Sequence, residues 1–216
     1  MSLRRLRNQH GFTLAELLVA CAIIGIVMGG LFSILRAGQQ SYLTGSNQVE
    51  AQQALRLAFL RMTNEVRDAG YCPTCGSGAA PFTALTSISS TGFTIQNDWN
   101  GTGTIASGTV TQVVTGMDGT VGNATRGEQI IYAFSGGSLT RREVGLEGTA
   151  TPVVNNLASL TFTYLDQAGN ATTDATTART IVINAVGQPE VQAASFGGGR
   201  VQVAMTDSVR LRNRAK

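Results

Sequence analysis

Cys72 and Cys75, spaced as Cys-Pro-Thr-Cys, form the pair of side chains best placed for chemistry in this sequence. Two cysteines three residues apart can form a redox couple, half of a zinc site or a local disulfide. A redox couple wants its first thiol at a helix N-terminus, where the dipole stabilises the thiolate; here the pair follows a helical pattern instead. Zinc needs four ligands. The lone histidine, His10, lies in a basic N-terminal segment expected to be removed, and Cys21 lies in an apolar run. A local structural disulfide fits best. With His10 gone, a histidine-based triad or acid–base pair is excluded from what remains.

Other constellations are weaker. Gly101-Thr-Gly-Thr-Ile-Ala106 matches G-x-G-x-x-A, but no helix pattern follows it, as phosphate binding requires. Asp118, Asn123 and Glu128 offer oxygen ligands whose spacing misses the calcium loop, and they read as a solvated loop. Arg210, Arg212 and Arg214 alternate with Val209, Leu211 and Asn213. On a strand they share one face, which is expected to be solvated or to meet acidic residues of a neighbouring subunit. No enzyme activity, cofactor or metal is expected.

The element that organises the chain lies at its start. Residues 12–35 are almost wholly apolar and carry one formal charge, Glu16. As a helix this run is about 36 Å long, enough to cross a bilayer core of about 30 Å. The preceding segment carries Arg4, Arg5 and Arg7 and no acid, so it should stay cytoplasmic, with everything after Arg36 outside. Topology then puts Cys72 and Cys75 where disulfides persist. Losing the three leader arginines would bring the net charge from +3 to zero, so the pI of about 9.0 says nothing about nucleic acid.

An ordinary cleaved secretory signal is shorter and ends at a small-residue site. Leu18-Val19-Ala20-Cys21 looks like a lipobox with Cys21 acylated. Against it, Glu16 would interrupt a short apolar region, and the product would keep a further apolar run. A plain anchor leaves Glu16 unexplained, because a carboxylate in hydrocarbon costs at least ~2.5 kcal/mol.

Gly11-Phe12-Thr13-Leu14-Ala15-Glu16, behind a basic leader, resembles the processing site of type IV prepilins. The resemblance implies that a prepilin peptidase cuts after Gly11 and that the new amine of Phe12 is methylated. The apolar helix is then kept, first as an inner-membrane anchor and later in a filament core, with Glu16 as the assembly contact. Asp68-Ala69-Gly70-Tyr71, residues 160–166 (LTFTYLD) and Ser208-Val209-Arg210-Leu211-Arg212-Asn213 are similar to PilW-like minor pilins and to J-type pseudopilins of type II secretion.

Beyond the anchor, Leu55, Phe59, Met62, Val66 and Ala69 recur in steps of three and four, drawing one apolar stripe on a helix. No proline interrupts residues 12–69, and Gly70 is a stop signal. Gly25 and Gly29 form a G-x-x-x-G step, a weak signal for close helix approach; with Gly30 they lower helix propensity. Past Gly70 the period becomes two. Strands are expected at 83–89, 92–96, 128–134, 138–143, 157–165, 179–186 and 201–212, with a hairpin across Gly136-Gly137. The Thr- and Gly-rich stretch 97–127 reads as exposed loops with short strands.

The expected fold is α+β, type IV pilin-like: a long N-terminal helix packed on an antiparallel sheet. The expected organisation is a leader at 1–11, an anchor at 12–35, an amphipathic continuation at 36–69 and a β-rich periplasmic or extracellular domain at 70–216. The expected partners are the prepilin peptidase, the inner membrane and other pilin subunits, with no nucleic acid. A minor pilin of a type IV pilus is the leading function; a type II secretion pseudopilin and a lipidated or helix-anchored surface-binding module are the alternatives.

Overall fold

The computed structural model describes residues 11–75, 82–188 and 202–213. Most of the expected leader, with His10, lies outside them, as does Arg214. The chain divides into two compact units, 1–46 and 47–216.

The first helix, α1, runs from Leu14 to Asp68 without a break. Gly25, Gly29, Gly30, Gly38 and Gly45 all lie inside it. In the N-terminal unit its side chains are exposed nearly all round, from Leu14 to Leu43. It contains a window apolar enough to cross a membrane. No polar face would anchor that part to a sheet of its own, as expected for a segment suited to apolar surroundings.

In the second unit the same helix becomes amphipathic. Ala51, Leu55, Ala58, Phe59, Met62 and Val66 are buried in one core. Gly70 ends the helix with φ +81°, and its N–H donates to the Gln96 carbonyl at 2.8 Å. Only a residue without Cβ fits, since a Cβ there would lie 2.9 Å from that of Ala84.

Among the described residues ten strands follow: β1 (Leu85–Ser89), β2 (Gly92–Gln96), β3 (Thr109–Thr115), β4 (Val121–Gly127) and β5 (Gln129–Ser135). Then come β6 (Ser138–Glu143), β7 (Thr151–Val154), β8 (Leu157–Leu165), β9 (Thr180–Gly187) and β10 (Val203–Arg210). All pairings are antiparallel. The strands form three sheets, ordered β1-β2-β5-β6-β7, β10-β9-β8 and β3-β4. The expected single sheet is thus divided. The stretch 97–127, read as loops with short strands, holds a hairpin of two seven-residue strands, β3-β4, and β7 joins an edge that had no sequence signal. The Gly136-Gly137 hairpin is present, both glycines having positive φ as a two-residue turn requires.

Phe93 joins the larger sheets. Its ring lies 5.4 Å from Tyr132 and meets Phe162 edge-on at 5.0 Å. The Tyr164 hydroxyl donates to the Ser89 and Gly92 carbonyls at 2.8 and 2.9 Å, fixing β8 beside the β1-β2 turn. Burial pushes the Tyr164 phenol well above its usual range.

Candidate processing and assembly site

Gly11, Phe12 and Thr13 precede the helix and are exposed, Phe12 at 91%. Thr13 is the N-cap of α1. Its Oγ1 accepts the Glu16 N–H at 3.3 Å, and Glu16 Oε2 accepts the Thr13 N–H at 2.9 Å and hydroxyl at 3.0 Å. This reciprocal capping box satisfies groups that the first helical turn leaves open. It also lays a negative charge on the positive end of the helix dipole. Glu16 is therefore balanced within its own first turn, while Phe12 stands outside the hydrogen-bonded segment. The T-x-x-E spacing was legible, although reading Glu16 for assembly alone passed over Thr13.

Cys72 and Cys75 are joined as a disulfide with Cα atoms 5.5 Å apart. Cys21 is free and exposed on α1. Both sulfurs and a carboxylate oxygen of Asp98 lie within 4.8 Å of one another. Joined to each other, the sulfurs are not thiolate ligands. The bridged turn sits on the 97–103 loop: Asp98 N–H donates to the Tyr71 carbonyl at 2.8 Å, and the Thr74 hydroxyl donates to the Gly101 carbonyl. Tyr71 stacks against Trp99 with ring centroids 5.2 Å apart, and the Arg126 guanidinium lies 4.8 Å from the Trp99 ring centre.

Two buried carboxylates hold that loop. Asp98 accepts the N–H groups of Thr102 (3.0 Å) and Gly103 (2.7 Å). Glu128 accepts those of Trp99 (3.0 Å) and Ala106 (2.7 Å). The solvated-loop reading is thus corrected for Glu128, which is fully buried. Asp118 and Asn123 are exposed on the β3-β4 hairpin. The Thr120 hydroxyl and N–H hold the Asp118 carboxyl below its usual range. Gly101 to Ala106 belong to this carboxylate-held loop, and no helix follows.

β10 ends at Arg210, so Arg212 lies beyond the strand; both arginines are exposed and Val209 and Leu211 are buried. A further network had no local signal. Arg141 Nε binds Glu65 at 2.9 Å, and its other nitrogens reach Glu143 at 2.8 Å and Glu147 at 3.2 Å. Burial opposes the Arg141 charge, but hydrogen bonds to Glu143 and Glu65 outweigh it and hold the guanidinium above its ordinary value.

The model of the prokaryotic N-terminal methylation motif matches residues 6–32, covering Gly11, Phe12 and Glu16. A comparison with curated proteins finds no match. Among solved structures, a type IV-like pilin from Thermus thermophilus aligns at 14% identity over 76% of this chain and 97% of its own, with a TM-score of 0.46. The chain therefore carries the N-terminal methylation motif at the start of one long helix, apolar in its first half, that is followed by antiparallel sheets.

Proposed function

We propose that the chain is a minor pilin, PilW-like in its junctions, with a structural rather than catalytic role. Prepilin peptidase cuts between Gly11 and Phe12, the Phe12 amine is methylated, and residues 12–35 hold the subunit in the inner membrane with its β-rich part on the far side. The subunit then enters a filament through its apolar helix, priming, capping or sparsely populating it. The observation that carries this reading is the methylation motif at residues 6–32, with Glu16 inside an otherwise apolar run.

In an apolar helix bundle the Glu16 carboxylate needs a cation. The Phe12 ammonium of a neighbouring subunit supplies one, worth about 4 kcal/mol before desolvation at about 4 Å and an effective dielectric near 20. The capping box keeps Glu16 satisfied until then. Mass spectrometry of the mature N-terminus tests the reading: a peptide starting at N-methylated Phe12 is expected, and one starting at lipidated Cys21 overturns it. Deletion then separates a pilus subunit, whose loss removes pili, from a type II secretion pseudopilin, whose loss stops secretion.

A further inference from the structure

Asp98 is fully buried, and its Oδ2 lies 3.3 Å from Cys72 Sγ while accepting the Gly103 N–H. A disulfide sulfur carries no proton. In the oxidised chain this contact is therefore no hydrogen bond. Reduction gives Cys72 an S–H directly beside an ionised acceptor that the Thr102 and Gly103 N–H groups already hold in place. The dithiol form gains a charge-assisted hydrogen bond that the disulfide form lacks.

The bridge has little to set against that gain. It links residues only three apart, and so short a loop gains little entropy from closure. The surrounding turn is held by other means: Gly70 N–H to the Gln96 carbonyl, Asp98 N–H to the Tyr71 carbonyl, the Thr74 hydroxyl to the Gly101 carbonyl, and the Tyr71–Trp99 stack. None of these contacts runs through the S–S bond. Both cysteines are half-exposed, within reach of a reagent.

We infer that Cys72–Cys75 is a site of thiol–disulfide exchange, reversibly reduced by a dithiol partner, with Asp98 as the positioning residue that stabilises the Cys72 thiol. A thiolate of the partner attacks one sulfur and the S–S bond breaks. The leaving cysteine takes up a proton, and the partner's second thiol then displaces the other cysteine from the mixed disulfide. Two electrons and two protons pass to the chain, and the partner is left as a disulfide. The position of equilibrium is the same whichever sulfur is attacked first.

The test is a redox titration of the full-length chain in detergent micelles, in a Cys21→Ser background so that only Cys72 and Cys75 report. Mixtures of reduced and oxidised dithiothreitol set the poise, and maleimide-polyethylene glycol reads the free thiols on a gel. Asp98→Asn should need about tenfold more reducing conditions for half-reduction, the difference between a charged and a neutral acceptor. That is about 30 mV for a two-electron couple. Glu128→Gln is the control, because Glu128 holds the same loop without touching sulfur. It should leave the midpoint unchanged, and an equal shift there would assign the effect to loop loosening and overturn the inference. Fluorescence of Trp99, the single tryptophan, shows whether the loop is intact in each variant. An unshifted Asp98→Asn midpoint with an intact loop overturns the inference as well. If Asp98→Asn disturbs the loop, infrared spectra of the reduced Cys21→Ser chain decide: one S–H stretch should be lowered relative to the other, and two coincident bands overturn the inference.

Discussion

The Tyr132 hydroxyl on β5 donates to Glu65 Oε2 on α1 at 2.7 Å, across 67 residues of sequence. Glu65 also accepts from Arg141 Nε at 2.9 Å, so one carboxylate pins two adjacent strands, β5 and β6, to the helix. Arg141 is nearly fully buried and faces three carboxylates in all. Removing it leaves Glu65, Glu143 and Glu147 close together with their shared cation gone.

Arg141→Met should therefore destabilise the β-rich unit by about 3–5 kcal/mol, as expected when one partner of a buried ion pair is deleted. Tyr132→Phe removes a single hydrogen bond and leaves the Arg141 pairing, so about 1–2 kcal/mol is expected. Urea unfolding followed by Trp99 fluorescence measures both. A larger loss for Tyr132→Phe than for Arg141→Met would show that the phenol, and not the ion pairs, ties the strands to the helix.

The alkaline limb of stability should carry the mark of the same phenol. Burial and the Glu65 charge push Tyr132 above its ordinary value near 10, and burial does the same for Tyr164. A raised folded value favours the neutral form, so the stabilisation is complete below pH 10 and is lost as pH rises further. Wild type should lose stability steeply above that pH, and Tyr164→Phe should lose it less steeply. Unfolding midpoints between pH 8 and 11.5, with tyrosinate absorbance read alongside, make the comparison. Parallel slopes would contradict it.

Gly70→Ala should be costly for its place in the fold. The substitution forces a side chain into left-handed backbone at φ +81°, about 1–2 kcal/mol for an L-residue. The new Cβ would also lie 2.9 Å from that of Ala84 and 3.1 Å from the Asn213 carbonyl oxygen. A midpoint shift in the same urea assay measures the loss, and an unchanged midpoint would mean that the helix end can re-form around a side chain.

Glu16→Ala should leave cleavage after Gly11 largely intact and remove the subunit from sheared filaments, holding it in the membrane fraction. Glu16→Asp, one methylene shorter, should fall between Glu16→Ala and wild type. Thr13→Ala removes the N-cap oxygen, worth about 1 kcal/mol of helix stability, and should lower incorporation less than Glu16→Ala does. Immunoblots of sheared and membrane fractions read all three. Wild-type incorporation of Glu16→Ala would remove Glu16 from the assembly role.

Local order in the chain was enough to determine the helix, its two characters and most of the strands. The stripe Leu55, Phe59, Met62, Val66 is visible because helical neighbours lie three and four residues apart, and all four are buried. Residues 92–96, 138–143 and 157–165 coincide with β2, β6 and β8, and the alternation along β6 and most of β8 is equally local. Thr13 and Glu16 form their box within one turn for the same reason. Tertiary structure alone decided what depends on distant partners. β7 is a four-residue strand containing Pro152, recognisable only by its pairing with β6. The strands β3 and β4 are exposed along most of their length and draw their order from each other, so no buried face marked them in advance. Asp98 and Glu128 look like ordinary loop acids until folding surrounds them with backbone N–H groups and, for Asp98, a sulfur. Arg141 meets Glu65 from 76 residues away, and no periodicity along a chain encodes which two charges will be desolvated together.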